Sequence, residues 1–210
     1  MTYIFQTITI NVCFTKCFKK IYIWKSCHIG GYQMSDIVIL SGSPAIPSRT
    51  DISLKHIQSL VENAGFTTAY FSITDFSADD LFQGKYNSED ISKLSERIQA
   101  ARGVIIGSPV YKASYTGVLK ALIDLLPEGA FKGKPVLPIM IGGSNRHLLA
   151  IDYALKPLIS ILKGEPLQGI YFVDKEIDKQ NPEKPINDLH LIDRVQSQVQ
   201  EFVEAIQLRN

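Results

Sequence analysis

Apolar positions along this chain follow two periods, and segments of the two kinds alternate. Short unbroken apolar runs, such as Ile-Val-Ile-Leu at 37–40, are typical of strands buried on both faces of a parallel sheet. Between these runs, apolar residues recur every three or four positions, which indicates amphipathic helices. The predicted strands are 37–40, 66–71, 103–107, 136–141 and 166–173, and the predicted helices are 50–64, 88–101, 118–126, 147–163 and 189–206.

This alternation predicts an α/β fold with one doubly wound parallel sheet and right-handed crossovers. Two connecting segments show no regular period: residues 72–87 are irregular and acidic, and residues 174–188 are polar and contain prolines. We expect no regular structure in the first, and a surface loop or partial disorder in the second. Pro157 lies inside the fourth predicted helix, where it predicts a kink.

Three loops that follow predicted strands are rich in glycine, serine and proline. They span residues 41–50, 107–115 and 142–146. Open α/β sheets bind ligands outside the carboxyl ends of their strands, at the point where the strand order reverses. The sequence therefore predicts a single ligand site built by these three loops.

The first loop has the composition of an anion site. It leads from a buried strand into a helix, so its end carries unpaired amides at the positive pole of that helix. It matches neither the nucleoside-triphosphate P-loop nor the dinucleotide fingerprint, which favours a phosphomonoester. The alternative is that Ser48 or Thr50 only caps the helix after an ordinary turn. The candidate phosphate donors are Ser41, Ser43, Ser48, Arg49 and Thr50.

The other two loops predict a place for a flat ring. Pro109, Val110 and Tyr111 offer amides and side-chain surface to a heterocycle, and Gly142 and Gly143 allow the third loop to approach it closely. A phosphate at one end and a planar ring at the other describe FMN. The sequence shows no nucleophile with an adjacent base and no cluster of metal ligands, so we expect the flavin itself to carry the redox chemistry.

Composition and charge narrow the possible partners. The chain has 210 residues, of which 45% are hydrophobic and 20% charged, and its formal net charge is +1. These values are typical of one globular domain and predict neither nucleic-acid nor membrane binding. Residues 1–33 hold four lysines and no acids, so the rest of the chain carries 18 basic and 21 acidic groups, a net charge of −3.

The first 33 residues differ from the rest and contain all three cysteines. They have neither a signal-peptide core nor the roughly 20 apolar residues of a transmembrane helix. Our hypothesis is that Met34 is the natural start and that residues 1–33 are an extension without function. The alternative is a metal clip of the cysteines with His28, although the spacings match no familiar zinc pattern. Residues 34–210 lack cysteine, which suits a reducing cytoplasm. The cysteines are Cys13, Cys17 and Cys27.

Three motifs in the predicted loops resemble those of a known family. They are SGSP at 41–44 with RT at 49–50, GSPVYKASYTGVLKALIDLLP at 107–127, and GGS with HLLAIDYALKP within 142–157. Together they resemble the flavodoxin-like NAD(P)H-dependent FMN reductases. The third motif is similar to the reductase component of two-component alkanesulfonate monooxygenase systems, and the resemblance covers about residues 36–173.

The resemblance implies a fold, a reaction and a site. Residues 34–210 would form one domain with a five-stranded sheet of order 2-1-3-4-5 and helices on both faces. A homodimer or homotetramer would transfer hydride from NADPH to the flavin and supply reduced FMN to a partner monooxygenase in sulfonate-sulfur assimilation. The implied FMN contacts are Ser41, Ser43, Ser48, Arg49 and Thr50 at the phosphate, Pro109, Val110, Tyr111 and Lys112 beside the isoalloxazine, and Gly142, Gly143 and Ser144 on its other side.

The resemblance also places Tyr115 in a π-helical bulge at a subunit interface, with a plain packing role as the alternative. Two other functions stay open at this point. One is an FMN-retaining reductase of quinones, azo dyes or metal oxyanions. The other is a flavodoxin-like electron carrier or regulatory module without turnover, although flavodoxins generally have a strongly acidic surface. A preference for NADPH over NADH rests on the family alone.

Overall fold

A parallel β-sheet forms the centre of the computed structural model, which describes residues 28–29, 32–33 and 35–209. The hypothesis about residues 1–33 concerns a segment that lies outside the described residues, apart from a short antiparallel pairing of 28–29 with 32–33. The strands of the central sheet are β1 Ile37–Ser41, β2 Thr68–Ser72, β3 Gly103–Pro109, β4 Pro135–Gly142, β5 Glu165–Pro166 and β6 Ile170–Val173.

The sheet has the order β2-β1-β3-β4, and β5 and β6 both pair with β4. Every pairing between these strands is parallel, so the predicted flavodoxin-like order 2-1-3-4-5 is confirmed. The predicted fifth strand is split in two. Gly169 has a φ of +87° and its amide donates to Oε1 of Gln198 at 3.1 Å rather than to the ladder, which explains the interruption.

Helices cover both faces of the sheet because successive strand side chains point to opposite sides. The helices are α1 Arg49–Asn63, α2 Ala78–Gln83, α3 Glu89–Ala100, α4 Gly117–Ile123, α5 Lys156–Ile161 and α6 Leu189–Gln207. Val38 and Leu40 of β1 pack with α3, α4 and α5, whereas Ile37 and Ile39 pack with α1 and α6. Within the described residues, no helix combines the length and apolar character needed to cross a membrane.

The predicted helix 147–163 is not continuous. It begins after the 3₁₀ turn Asn145–His147 with the π-helical turn Ile151–Leu155, and α5 follows directly. Pro157 has no N–H for the carbonyl four residues earlier, and its ring crowds that carbonyl, so a wider turn precedes it.

The placement of Tyr115 in a π-helical bulge is wrong. The tyrosine within the π-helical turn is Tyr153, whose side chain is exposed. Tyr115 lies in the irregular segment before α4 and packs, partly buried, against the core. Tyr115 is followed directly by Thr116 and Gly117, which begin α4, so its backbone lies outside any helix.

One connecting segment is more ordered than its sequence predicts, and the other is anchored to the core. The segment 72–87 contains α2 and the 3₁₀ turn Ile73–Asp75. The segment 174–188 is a surface loop, but Ile177 and Ile186 are buried in the core shared with α1 and α6. These two isoleucines hold the loop on the domain, so the structure agrees with the surface loop, the first of the two predicted alternatives.

Candidate functional site

The three glycine- and serine-rich loops lie side by side. They follow β1, β3 and β4, which are neighbours in the sheet and end at the same edge. The amide of Gly42 donates to the carbonyl of Gly107 at 2.7 Å, and the amide of Val110 donates to the carbonyl of Ile141 at 2.7 Å. The structure therefore brings together the three loops that the sequence assigned to one site.

Thr116 links the first two loops, and sequence reasoning missed it. Its buried hydroxyl donates to the carbonyl of Gly42 at 2.6 Å and accepts from the amide of Leu119 at 3.1 Å, which makes Thr116 the N-cap of α4. Its own amide donates to Oγ of Ser108 at 3.0 Å. A threonine just before a helical pattern signals a cap, but the bond to Gly42, 74 residues away, leaves no local signal.

Replacing Thr116 with valine is expected to lower the free energy of unfolding by about 2 kcal/mol, because it removes a cap and a buried hydrogen bond. Denaturation in urea measures the change. Thr116→Ser is the matched control, since it keeps the hydroxyl and should retain most of the stability. Equal stability of the valine variant and the wild type would contradict a linking role for this hydroxyl.

The first loop buries its hydroxyl groups at the start of α1. Ser41, Ser43, Ser48 and Thr50 are each at most 5% exposed. Ser48 is the N-cap of α1, where its hydroxyl oxygen accepts from the amide of Asp51 at 2.9 Å. Capping therefore accounts for Ser48, but not for the burial of the other three hydroxyl-bearing side chains.

The side chain of Arg49 indicates whether an anion fits this loop. Its Nε is buried and has no hydrogen-bond partner among the described residues. A buried guanidinium N–H without an acceptor is costly, and an anionic oxygen is its best partner. The residues present thus fit a phosphomonoester at the start of α1.

Asp51 was not identified from the sequence, although it lies in the first turn of α1. Its carboxylate accepts hydrogen bonds from the hydroxyls of Ser41 at 2.6 Å, Ser48 at 2.5 Å and Tyr70 at 2.7 Å. Burial, together with the hydrogen bond to Asp51 and its negative charge, raises the pKa of Tyr70 far above its ordinary value. Tyr70 therefore stays protonated and remains a donor to the carboxylate.

The second loop closes in a tight turn between Tyr111 and Ser114. The two residues exchange backbone hydrogen bonds of 2.9 and 3.1 Å, and Lys112 and Ala113 between them have φ of 51° and 65°. Side chains other than glycine adopt this left-handed conformation at a cost, and such strain is concentrated at functional loops. The turn leaves the Tyr111 side chain 49% exposed at the edge of the site.

The third loop is anchored by Tyr171 of β6, which sequence reasoning also missed. Its hydroxyl donates to the carbonyl of Ser144 at 2.6 Å. A Cβ atom on Gly142 would lie 2.1 Å from this hydroxyl oxygen, so only glycine leaves room for the contact. Burial, with the charges of Asp174 and Glu176, raises the pKa of Tyr171 and keeps this donor protonated.

A hydrogen bond joins the loop 174–188 to the first loop. Nζ of Lys179 donates to the carbonyl of Pro47 at 3.3 Å. This brings a second positive charge to the neighbourhood of Arg49. A contact across 132 residues between two irregular segments has no signature in a single sequence.

Comparison with known proteins agrees with this architecture. The family described as NADPH-dependent FMN reductase matches residues 35–178. The FMN reductase (NADPH) of Pseudomonas putida is 41% identical over 150 residues, which is 71% of this chain and 76% of that protein. The NADH-dependent FMN reductase SfnF of Pseudomonas putida is 30% identical over 173 residues, covering 80% of this chain and 92% of that protein.

The backbone of this chain is also similar to that of a solved structure. The apo form of the NADH:FMN oxidoreductase EMOB superposes with a TM-score of 0.71 at 27% identity, covering 80% of this chain and 88% of that chain. The fold, the three loops and the sequence matches lead to the same assignment. The chain belongs to the NADPH-dependent FMN reductase family, a family of oxidoreductases that uses FMN and NADPH.

Proposed function

We propose that this protein binds FMN across its three loops and supplies the reduced flavin to a partner monooxygenase. The observation that carries the binding mode is the buried, unpartnered Nε of Arg49 at the start of α1. The phosphate is bound there by Arg49, the hydroxyls of Ser43 and Thr50, and the free amides at the helix start. Bound in this way, FMN would supply the redox chemistry, as the acceptor of a hydride from NADPH.

The second and third loops hold and orient the ring in this proposal. Pro109, Val110, Tyr111 and Lys112 border one side of the isoalloxazine, and Gly142, Gly143 and Ser144 border the other. The strained turn at Lys112 and the anchor from Tyr171 to Ser144 support this role, because both fix loop backbone at the sheet edge. The protein then contributes alignment of the two rings and exclusion of water, and no side chain needs to transfer a proton.

The monooxygenase is the finer part of the proposal. Its support is the resemblance of the segment 142–157 to the reductase component of two-component alkanesulfonate systems. In such a system FMN is a substrate that must leave after reduction, so the affinity of the site has to remain moderate. We place the reaction in the cytoplasm, which the lack of cysteine in residues 34–210 supports.

We also propose that the protein assembles as a homodimer or homotetramer. Large apolar side chains are exposed around the second and third loops and on the π-helical turn, which is unusual for a monomer surface. Sedimentation velocity of the full chain tests this, and a monomer at micromolar concentration would contradict it. The exposed side chains are Tyr111, Val118, Leu148, Leu149 and Tyr153.

Turnover with the full chain tests the proposed function. We expect NADPH oxidation that saturates with added FMN, and less than one equivalent of FMN retained on purification. Binding of FMN without NADPH oxidation would instead indicate an electron carrier. One equivalent of firmly retained FMN, with turnover of quinones or azo dyes, would indicate an FMN-retaining reductase. NADH is compared in parallel, because the SfnF relative is named as NADH-dependent.

A further inference from the structure

Asp51 is a charged group in direct contact with two first-loop hydroxyls that the sequence predicted as phosphate donors, and its own charge opposes an anion. Its carboxylate contacts the hydroxyls of Ser41 and Ser48 at 2.6 and 2.5 Å. We propose that Asp51 weakens phosphate binding by the first loop. The resulting lower affinity makes FMN an exchangeable substrate rather than a resident cofactor. This inference rests on the proposed function, since it assumes that the first loop binds the FMN phosphate.

The first part of the effect is competition for protons. A serine hydroxyl has one proton to donate, and Ser41 and Ser48 both donate theirs to Asp51. Their oxygens accept from backbone amides, Ser41 from that of Ser43 at 3.5 Å and Ser48 from that of Asp51 at 2.9 Å. In this arrangement each serine oxygen can only accept a hydrogen bond. A phosphate oxygen is also an acceptor, so it gains no hydrogen bond from either serine. A phosphate that uses either hydroxyl must first break its bond to Asp51.

The second part is charge. The start of a helix favours one nearby anion, and Asp51, in the first turn of α1, already provides it. A phosphate dianion at the same helix end is opposed by this carboxylate and attracted by Arg49. Lys179, whose Nζ contacts the carbonyl of Pro47, adds a more distant positive charge. Asp51 therefore offsets part of the attraction that the two cations supply.

Weak phosphate binding suits a protein from which the reduced flavin has to dissociate. Differences in affinity between related complexes arise mostly in the dissociation rate, so a group that raises the dissociation constant also shortens the residence time. Riboflavin lacks the phosphate and is expected to be indifferent to Asp51. A change confined to FMN therefore distinguishes this role from general damage to the site.

Titration of the full chain with FMN and with riboflavin, followed by flavin fluorescence, tests the inference. Asp51→Asn is expected to lower the dissociation constant for FMN about tenfold and to leave that for riboflavin within about twofold. Asp193→Asn, which removes an exposed carboxylate on α6, is the matched control and should change neither value. Unchanged or weaker FMN binding by Asp51→Asn would overturn the inference.

Two further variants keep the test decisive. Asp51→Ser also removes the carboxylate, and serine is favoured near helix N-termini. The same titrations with this variant test the inference if the asparagine variant does not fold. Tyr70→Phe removes one donor to Asp51 but keeps the charge, so it should not tighten FMN binding. Equal tightening by Tyr70→Phe would show that loosening of the network is the cause, and would overturn the inference. A wild-type protein that neither binds FMN nor oxidises NADPH would instead refute the proposed function.

Discussion

Replacing Arg49 with alanine is expected to raise the dissociation constant for FMN by about 10- to 100-fold, while that for riboflavin changes less than about twofold. The reason is that Arg49 carries the buried N–H without a partner, and a hydrogen bond between charged groups contributes roughly 1.5–3 kcal/mol. Fluorescence titration of the full chain with each flavin measures both constants.

Two variants control this experiment. Arg49→Lys keeps the positive charge but loses the planar guanidinium, so its FMN affinity should fall between those of the wild type and the alanine variant. Arg194→Ala removes an exposed arginine from α6 and should leave both affinities unchanged. An equal loss for FMN and riboflavin in Arg49→Ala would show that Arg49 supports the ring or the fold rather than the phosphate.

Replacing Gly142 with alanine is expected to lower the free energy of unfolding by about 1–3 kcal/mol and to abolish most FMN reductase activity. The added Cβ would lie 2.1 Å from the hydroxyl oxygen and 3.0 Å from Cζ of Tyr171. Either the ring or the end of β4 has to move, and both movements disturb the third loop. Urea denaturation and steady-state NADPH oxidation measure the two effects.

The neighbouring glycine is the control for stability. A Cβ on Gly143 would have no heavy atom within 4 Å, so Gly143→Ala should leave the free energy of unfolding nearly unchanged. The double variant Gly142→Ala/Tyr171→Phe removes the hydroxyl that the new Cβ meets. It should recover part of the stability, despite the lost bond to Ser144. A Gly142→Ala variant as stable as the wild type would contradict the packing described for this loop.

The strands were predictable because buried parallel strands have a strong local signature, whereas their order was implied by the family resemblance. The run at 37–40 is unbroken and apolar, the run at 136–141 is apolar apart from Pro138, and each ends in a glycine- or serine-rich loop. Helix α1 was predicted to within one residue at each end, since Ser48 and Gly65 mark its limits. The positions of all three loops follow from these elements.

The groups that organise the site could not be predicted, because each acts across the fold. Asp51 accepts a hydrogen bond from Tyr70 of β2. Thr116 donates to the carbonyl of Gly42, and Tyr171 donates to the carbonyl of Ser144. Each of these side chains looks ordinary in its own segment. The π-helical turn was missed for a different reason: an apolar pattern of helical type does not distinguish a π turn from an α turn before a proline.

A crystal structure of the full chain with FMN tests the central claim most directly. The account predicts phosphate oxygens within hydrogen-bond distance of Arg49 Nε and of the amides at the start of α1, with the ring against Pro109, Val110 and Tyr111. A phosphate located away from the first loop, or a first loop still closed on its own side chains with FMN bound elsewhere, would contradict it.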